Sequence, residues 1–235
     1  MSRAENEQAV KEAYFNQARP RLLRLAERFV TDAEIVVNEA SAIFDEMLSE
    51  MAYVDKTEHI LAPALFICNV NLSLYLALKR RGIDAHDFGR AMLNGLARAP
   101  IPVPQESEEE LRQRLVQFAL IAEASQTDAQ PGEDVFAVVD SDDADFDWGF
   151  NLTSCAICQS ASKYDAMEVV PYMCAVDDVM SDKGNQGLRR TGSIALGASH
   201  CDFRYQRGGQ PRRLAEQYPD QIRVVLKGPR ESTES

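Results

Sequence analysis

A thiol, an imidazole and a carboxylate stand next to one another near the C-terminal end of the chain, at His200, Cys201 and Asp202. Residues 188–205 read as two β-strands joined by a turn at 197–199, which resembles a hairpin with these three side chains at its bend. Thiolates are nucleophiles and metal ligands, and imidazole and carboxylate groups move protons. Since adjacent strand residues face opposite sides, His200 can reach Cys201 only in a turn geometry.

Four of the five cysteines lie in the C-terminal half with the spacing C-x2-C-x15-C-x26-C, at Cys155, Cys158, Cys174 and Cys201. Three uses stay open: core packing, a zinc site of three thiolates completed by His200 or Asp177, and a catalytic thiol. A structural zinc ribbon normally has a second C-x2-C pair, which this chain lacks. The remaining Cys68 belongs to an apolar helix and is assigned to packing.

Two aspartates accompany these cysteines. Asp177 follows Cys174 by three residues on an expected helix, so both lie on one face. Asp177 is either a general base or the ion-pair partner of a neighbouring arginine, and Asp202 has the same two interpretations. The acidic run 140–147 departs from the EF-hand template and indicates a solvated turn. The chain has no G-x-S-x-G elbow, P-loop, dinucleotide-binding glycine motif or H-E-x-x-H motif.

Composition excludes several classes of partner. The net charge of −12, from 25 basic and 37 acidic residues, argues against nucleic acid and anionic membranes as partners. An odd number of cysteines and a polar N-terminus without a signal-peptide core favour the cytoplasm. We therefore expect a cytoplasmic protein that binds neither nucleic acid nor a membrane. Homo-oligomeric assembly is expected from its frequency among enzymes.

The N-terminal half predicts helices. Apolar residues from Leu22 to Met51 recur at helical spacing, Thr31 with Glu34 matches a capping box that divides them, and Pro20 suits a first turn. Residues 60–78 carry no charge, but Pro63 and interspersed polar residues favour a buried central helix over a membrane span.

Further along, local signals mark the ends of helices. Gly82 suits a C-cap, and Asp84 caps a helix over about 85–98. A stiff linker over 99–105 and a capping box at Ser107 follow, the latter opening another helix.

The C-terminal half changes to β-structure. The patterns predict strands at 135–139 and 146–152, helices at 155–163 and 166–181, the hairpin-like unit, a basic turn at 207–213 and a strand at 222–226. The fold class is therefore α+β, with a helical N-terminal half packed on a small, mostly antiparallel sheet. We divide the chain into a helical region 1–128, an α+β region 129–230 integrated with it, and a disordered tail 231–235.

A family resemblance runs through the same motifs. Arg190-Thr-Gly-Ser-Ile-Ala-x-Gly followed by Cys201-Asp-Phe-Arg resembles the signature of the L-2-amino-thiazoline-4-carboxylic acid hydrolase family. Asn151-Leu-Thr-x-Cys and Pro171-x-x-Cys-x-x-Asp resemble its upstream elements, so the resemblance covers roughly residues 135–206. It implies a hydrolase that adds water across a C–N or C=N bond of a small cyclic amidine-like acid, opening the thiazoline ring to a carbamoyl-cysteine.

Attack at an amidine carbon needs a nucleophile or an activated water, together with a carboxylate to move protons. The candidate catalytic residues are Cys155, Cys174, Asp177, Cys201 and Asp202. The candidate substrate contacts are Arg190, whose fork can hold a carboxylate, Thr191 and His200. No metal ligand is assigned and no cofactor is required, with zinc left as the open alternative. A non-catalytic binding module with structural cysteines or zinc is the second hypothesis. In either case the segments around Cys155, Cys174 and Cys201 are expected to converge.

Overall fold

The computed structural model describes residues 1–101, 107–141 and 145–209. Most of the linker over 99–105 and the middle of the acidic run 140–147 lie outside the described residues. The same holds for the end of the basic turn at 207–213, the strand at 222–226 and the tail 231–235.

Six α-helices precede the first described strand. They are α1 Arg3–Val10, α2 Gln17–Ala26, α3 Ala33–Glu50, α4 Ala62–Lys79, α5 Ala85–Arg98 and α6 Glu108–Asp128. A π-helical segment, Lys11–Asn16, joins α1 to α2 without a break. The helical N-terminal half is therefore confirmed.

Two local predictions in this half are wrong. Pro20 lies inside α2, not in a first turn. Proline has no N–H group, so Pro20 cannot donate to the carbonyl four residues earlier, that of Asn16. The π-helical segment ends at Asn16. The capping box of Thr31 with Glu34 does not form, because α3 uses Asp32 as its N-cap, without a side-chain cap. Glu34 pairs with Arg19 instead.

The central helix is α4, and 67% of its 18-residue apolar window is buried inside the protein. Among the described helices it has the length and composition to cross a membrane, a test that core helices of soluble proteins also pass. Its buried polar side chains have partners: Asn69 donates to the Leu65 carbonyl and accepts from Ser160, and Ser73 donates to the Val70 carbonyl. Backbone carbonyls therefore make these buried polar groups compatible with a core helix.

The predicted signals around α5 and α6 are confirmed. Gly82 has φ +82° after α4, a left-handed conformation that glycine adopts without strain. Asp84 accepts the Asp87 N–H, and Ser107 with Glu110 forms a complete capping box. Both helix starts are thus encoded by short-range hydrogen bonds.

The described strands form one antiparallel sheet in the order β1-β2-β4-β3. They are β1 Val135–Val139, β2 Trp148–Ser154, β3 Leu188–Arg189 and β4 Cys201–Tyr205. Two helices, α7 Ala156–Lys163 and α8 Val170–Gly184, lie between β2 and β3 in the chain. Helices in the N-terminal half and a small antiparallel sheet in the C-terminal part make an α+β fold, as predicted.

The hairpin-like unit is more open than its pattern indicates. β3 ends at Arg189, so residues 190–200 form a long connection with one 3₁₀ turn at Ile194–Leu196. The backbone N–H groups of Thr191 and Gly192 donate to the Asp202 carboxylate. The Asp202 side chain thus binds two backbone N–H groups that a longer β3 would have used for hydrogen bonds to β4.

Candidate functional site

Three thiols come from three separate elements. Cys155 is the N-cap of α7, and its Sγ accepts the Cys158 N–H at 3.5 Å. Cys174 lies in the first half of α8, and Cys201 opens β4. Cys155 and Cys201 are buried, while Cys174 keeps part of its surface open.

Ser193 connects two of these thiols. Its hydroxyl donates to Cys174 Sγ at 3.8 Å and accepts from Cys201 Sγ at 3.9 Å. The Ile194 N–H donates to Cys201 Sγ at 3.3 Å. Ser193 itself is fully buried, so the connection between residues 190 and 200 carries its hydroxyl into the protein.

The surroundings favour the neutral form of each thiol. Burial raises the pKa of Cys174 to about 12, against the opposing charge of Arg190. Burial also raises the pKa of Cys201, although the Ile194 N–H works against it. For Cys155 the hydrogen bond with the Cys158 side chain is the largest cause of a raised pKa, followed by burial. Near neutral pH these groups are therefore thiols rather than thiolates.

Asp177 occupies the same face of α8 as Cys174, one turn further on. Its Oδ2 accepts from Arg190 Nη1 at 3.1 Å, yet 45% of its side chain is exposed. The loss of surrounding water raises the pKa of Asp177, and the charge of Arg190 opposes that rise. The Asp177 carboxylate is therefore partly desolvated, yet solvent still reaches it.

Arg190 is held from several directions. Its side chain is 1% exposed, and Nη2 donates to the Cys174 carbonyl at 2.8 Å and lies 3.4 Å from the buried Asp178 carboxylate. Its guanidinium also lies 4.8 Å from the centre of the Phe203 ring. The interpretation of Asp177 as an ion-pair partner is thus realised. The buried guanidinium holds the Asp177 carboxylate, and the role of Arg190 as a substrate contact stays a prediction.

Asp202 does not face the thiols. Strand alternation turns it to the opposite side of β4 from Cys201. Its carboxylate binds the Thr191 N–H at 2.8 Å, the Thr191 hydroxyl at 2.6 Å and the Gly192 N–H at 2.5 Å. Partial burial raises the pKa of Asp202, but these hydrogen bonds outweigh it and the net pKa lies below its usual value. These bonds anchor the connection after β3 to β4, and a catalytic role for Asp202 stays a prediction.

The other expected substrate contacts lie on the same connection. The Thr191 side chain is exposed and is engaged by Asp202. His200 Nδ1 is 3.0 Å from the Ser199 hydroxyl, so its hydrogen-bond partner is a neighbour in the turn rather than Cys201. Their roles as substrate contacts stay predictions.

Some residues of this region escaped the sequence patterns. Burial raises the pKa of Cys68 on α4, and Asp177, Cys174 and Cys155 add to the rise, so this thiol lies within electrostatic reach of the other three groups. No spacing signal marks Cys68, because it is far from them in the chain. Ser193 lay inside the quoted motif without a role, and Asp178 stood beside Asp177 unassigned.

The zinc alternative finds no ligand set in the part of the chain that the structure describes. Within it, no group of three or more histidine, cysteine, aspartate or glutamate side chains is arranged to hold a metal ion. At the start of α7 the backbone N–H of Cys158 donates to Cys155 Sγ. Metal content stays a question for direct measurement.

Comparison with known proteins gives a family match. The family model described as L-2-amino-thiazoline-4-carboxylic acid hydrolase matches residues 64–205, from the start of α4 to the end of β4. The match extends well before the motifs, which pointed to roughly 135–206, and includes Cys68. Neither the curated proteins nor the solved structures contain a match to this chain.

Proposed function

Since the chain belongs to the L-2-amino-thiazoline-4-carboxylic acid hydrolase family, we propose that it opens the ring of a small cyclic amidine-like acid by hydrolysis. The observation that carries the proposal is the meeting of Asp177, Cys174 and Cys201 around Arg190 and Ser193. Addition of water to an amidine carbon requires a group that accepts a proton from the water, and a solvent-accessible carboxylate beside sulfur and hydroxyl groups can do so.

The proposed reaction begins with a water molecule beside Asp177. Asp177 takes one proton from this water while the water oxygen bonds to the amidine carbon. The bond from that carbon to the ring nitrogen then breaks as the water oxygen becomes the carbonyl of the product. The nitrogen receives two protons, the one that Asp177 returns and the second proton of the water oxygen. For 2-amino-thiazoline-4-carboxylate the product is a cysteine with a carbamoyl group on its sulfur, which contains the substrate and one water.

The pKa directions favour activated water over a thiolate nucleophile. A carboxylate with a raised pKa is a better base at neutral pH than an ordinary aspartate. Burial raises the pKa of Cys174 to about 12, so a thiolate at this position would first need a base to remove its proton. We assign the base to Asp177 and propose that Cys174, Cys201 and Cys155 line the reacting centre as neutral thiols.

Isosteric substitutions test these roles. Three variants change little side-chain volume: Asp177→Asn, Cys174→Ser and Cys201→Ser. In Asp177→Asn the turnover of the thiazoline acid should fall by about a hundredfold or more, because the general base is lost. Asp165→Asn, at an exposed carboxylate after α7, is the matched control and should keep wild-type turnover. Folding is checked by circular dichroism. Wild-type turnover in all three folded site variants would contradict the proposal.

The burial of the thiols also supports the second candidate, a binding module in which the cysteines are structural. Cys155 and Cys201 are each less than a tenth exposed. In that case the serine variants would unfold at lower temperature, while no thiazoline, cyclic imide or lactam would be turned over by the wild type. A product assay across such a panel therefore separates the two candidates.

A further inference from the structure

One face of α4 is partly open to solvent, although most of this helix is buried. Ala64, Ile67 and Cys68 share this face because they are three and four residues apart, and Asn71 follows one turn further on. Ala64 is exposed, Ile67 is 48% exposed and Cys68 is half-buried. Solvent therefore reaches the central helix along this stripe, which we call the open face of α4.

The open face of α4 borders the candidate site. Cys68 lies within electrostatic reach of Cys155 and Asp177. The residue after Cys68 is Asn69, which accepts a hydrogen bond from Ser160 on α7. Because Cys155 is the N-cap of α7, this bond holds α4 beside the helix that begins at one of the three thiols.

A cation from another helix lies at one end of the open face. Arg21 on α2 donates from Nη1 to the side-chain oxygen of Asn71 at 3.0 Å. Asn71 is itself buried, and its amide nitrogen donates to the Ile67 carbonyl at 2.7 Å. A fixed and neutral amide thus holds the guanidinium in place without neutralising its charge.

Within the described part of the chain, Arg21 has Asn71 as its hydrogen-bond partner and is paired with no carboxylate. Burial lowers the pKa of Arg21, and the neighbouring charge of Arg24 adds to this effect, yet solvent still reaches the side chain. Arg190, by contrast, is 1% exposed and bonded to Asp177. A partly desolvated cation beside a second cation favours an anion as its ligand.

Resting on the proposed hydrolysis of a cyclic amidine acid, we propose that Arg21 binds the substrate carboxylate and thereby determines specificity for acids. The ring of the substrate lies along Ile67 and Cys68, and its amidine carbon faces Asp177. The N–H groups of Arg21 that Asn71 does not use form a planar fork, which fits the two oxygens of a carboxylate. Arg21 precedes residue 64, where the family match begins, so this contact belongs to the N-terminal region of this chain.

Two probes separate the acid of the substrate from its amidine. Thiazolidine-4-carboxylate has the ring and the acid, and 2-amino-2-thiazoline has the ring and the amidine. Calorimetric titration measures the Kd of each probe without turnover. In Arg21→Gln the Kd of the acid probe should rise about 10- to 100-fold, the range for a lost charged hydrogen-bond pair, while the Kd of the amidine probe does not rise. Arg21→Lys should recover part of the lost affinity, because it restores the charge but not the fork.

Arg28, an exposed residue in the turn after α2, provides the matched control. Arg28→Gln removes the same charge from the same region, so it should bind both probes as the wild type does. Circular dichroism checks that the variants are folded. An equal Kd for the acid probe in wild type and Arg21→Gln would overturn the inference, as would the absence of acid-probe binding to the wild type.

Kinetics with the thiazoline acid separates this inference from the proposed function. Hydrolysis with the wild-type KM in Arg21→Gln would overturn the inference and leave the proposed function standing. Arg21-dependent binding of the acid probe, without hydrolysis of the thiazoline acid by the wild type, would refute the proposed function and leave the carboxylate subsite standing.

Discussion

At the scale of single residues, Asp134 is a buried carboxylate outside the candidate site. Its Oδ1 accepts the Ala156 N–H at 2.8 Å, and the Tyr53 hydroxyl donates to its Oδ2 and accepts its backbone N–H. Tyr53 has φ +66°, a conformation that a non-glycine residue adopts only when its contacts compensate the strain. Asp134 therefore ties the loop after α3 to the start of α7, next to Cys155.

Asp134 should make stability depend on pH. Burial raises its pKa to about 6, against the hydrogen bonds from Ala156 and Tyr53. An aspartate of the unfolded chain titrates near 4, so only the folded protein holds this proton between about pH 4 and pH 6. The contribution of Asp134 to the free energy of unfolding should fall as pH rises through that window, by on the order of 2–3 kcal/mol, and stay constant above it.

The comparison with Asp134→Asn isolates this effect, because the many carboxylates with lowered pKa values give the opposite slope in both proteins. Urea unfolding of both at about pH 4.5 and pH 6.5 measures it. The free energy of unfolding of the wild type, relative to that of the variant, should be lower at the higher pH than at the lower pH. Parallel stabilities at both pH values would show that the buried carboxylate does not titrate in this range.

Asp202 is predicted to be structural. Asp202→Ala removes the acceptor of three donors, and the free energy of unfolding should fall by about 1–3 kcal/mol. Thr191→Val removes only the hydroxyl donor and should cost about 1 kcal/mol. Denaturant titration measures both. Equal stability of Asp202→Ala and wild type would refute the anchoring role.

At the scale of elements, α5 and α8 cross at a position that requires glycine. A Cβ on Gly89 would lie 2.2 Å from the Tyr172 ring, whereas a Cβ on Gly95, two turns along the same helix, meets nothing within 4 Å. The close approach lets Tyr172 pack against α5 and fixes the position of α8, the helix that carries Cys174 and Asp177.

The two glycines form a matched pair of variants. Gly89→Ala should destabilise the protein by about 1–3 kcal/mol, because the ring must move. Gly95→Ala should stabilise it by up to about 1 kcal/mol through helix propensity alone. Thermal unfolding compares them. Similar effects at both positions would show that the crossing tolerates a methyl group.

At the scale of the whole molecule, α4 is a central helix that packs against α2, α3, α5 and α7. We propose that the protein is soluble, since two thirds of the apolar window of α4 face protein, and its cytoplasmic location stays a prediction. After expression and lysis without detergent it should remain in the supernatant of a high-speed spin. Recovery in the membrane pellet, released only by detergent, would contradict this. Homo-oligomeric assembly stays a prediction that sedimentation velocity tests.

The α+β class and many helix ends followed from the sequence. Asp84, Ser107 and Gly82 mark boundaries through hydrogen bonds and dihedral angles within a few residues, and such signals act without tertiary contacts. Thr31 shows the limit of such local signals. Asp32, not Thr31, is the N-cap of α3, and Glu34 pairs with Arg19 on α2.

For the candidate site, the sequence determined the chemistry, and the tertiary structure decided which groups share a surface. The sequence motifs identified Cys174, Asp177 and Cys201 as candidates, because helical and strand periodicity depend only on neighbouring residues. Only packing buried Arg190 between two carboxylates and brought Cys68 within reach. These contacts join residues that are far apart in the chain. Their geometry depends on how helices and strands cross, and the spacing of residues within one segment does not encode those crossings.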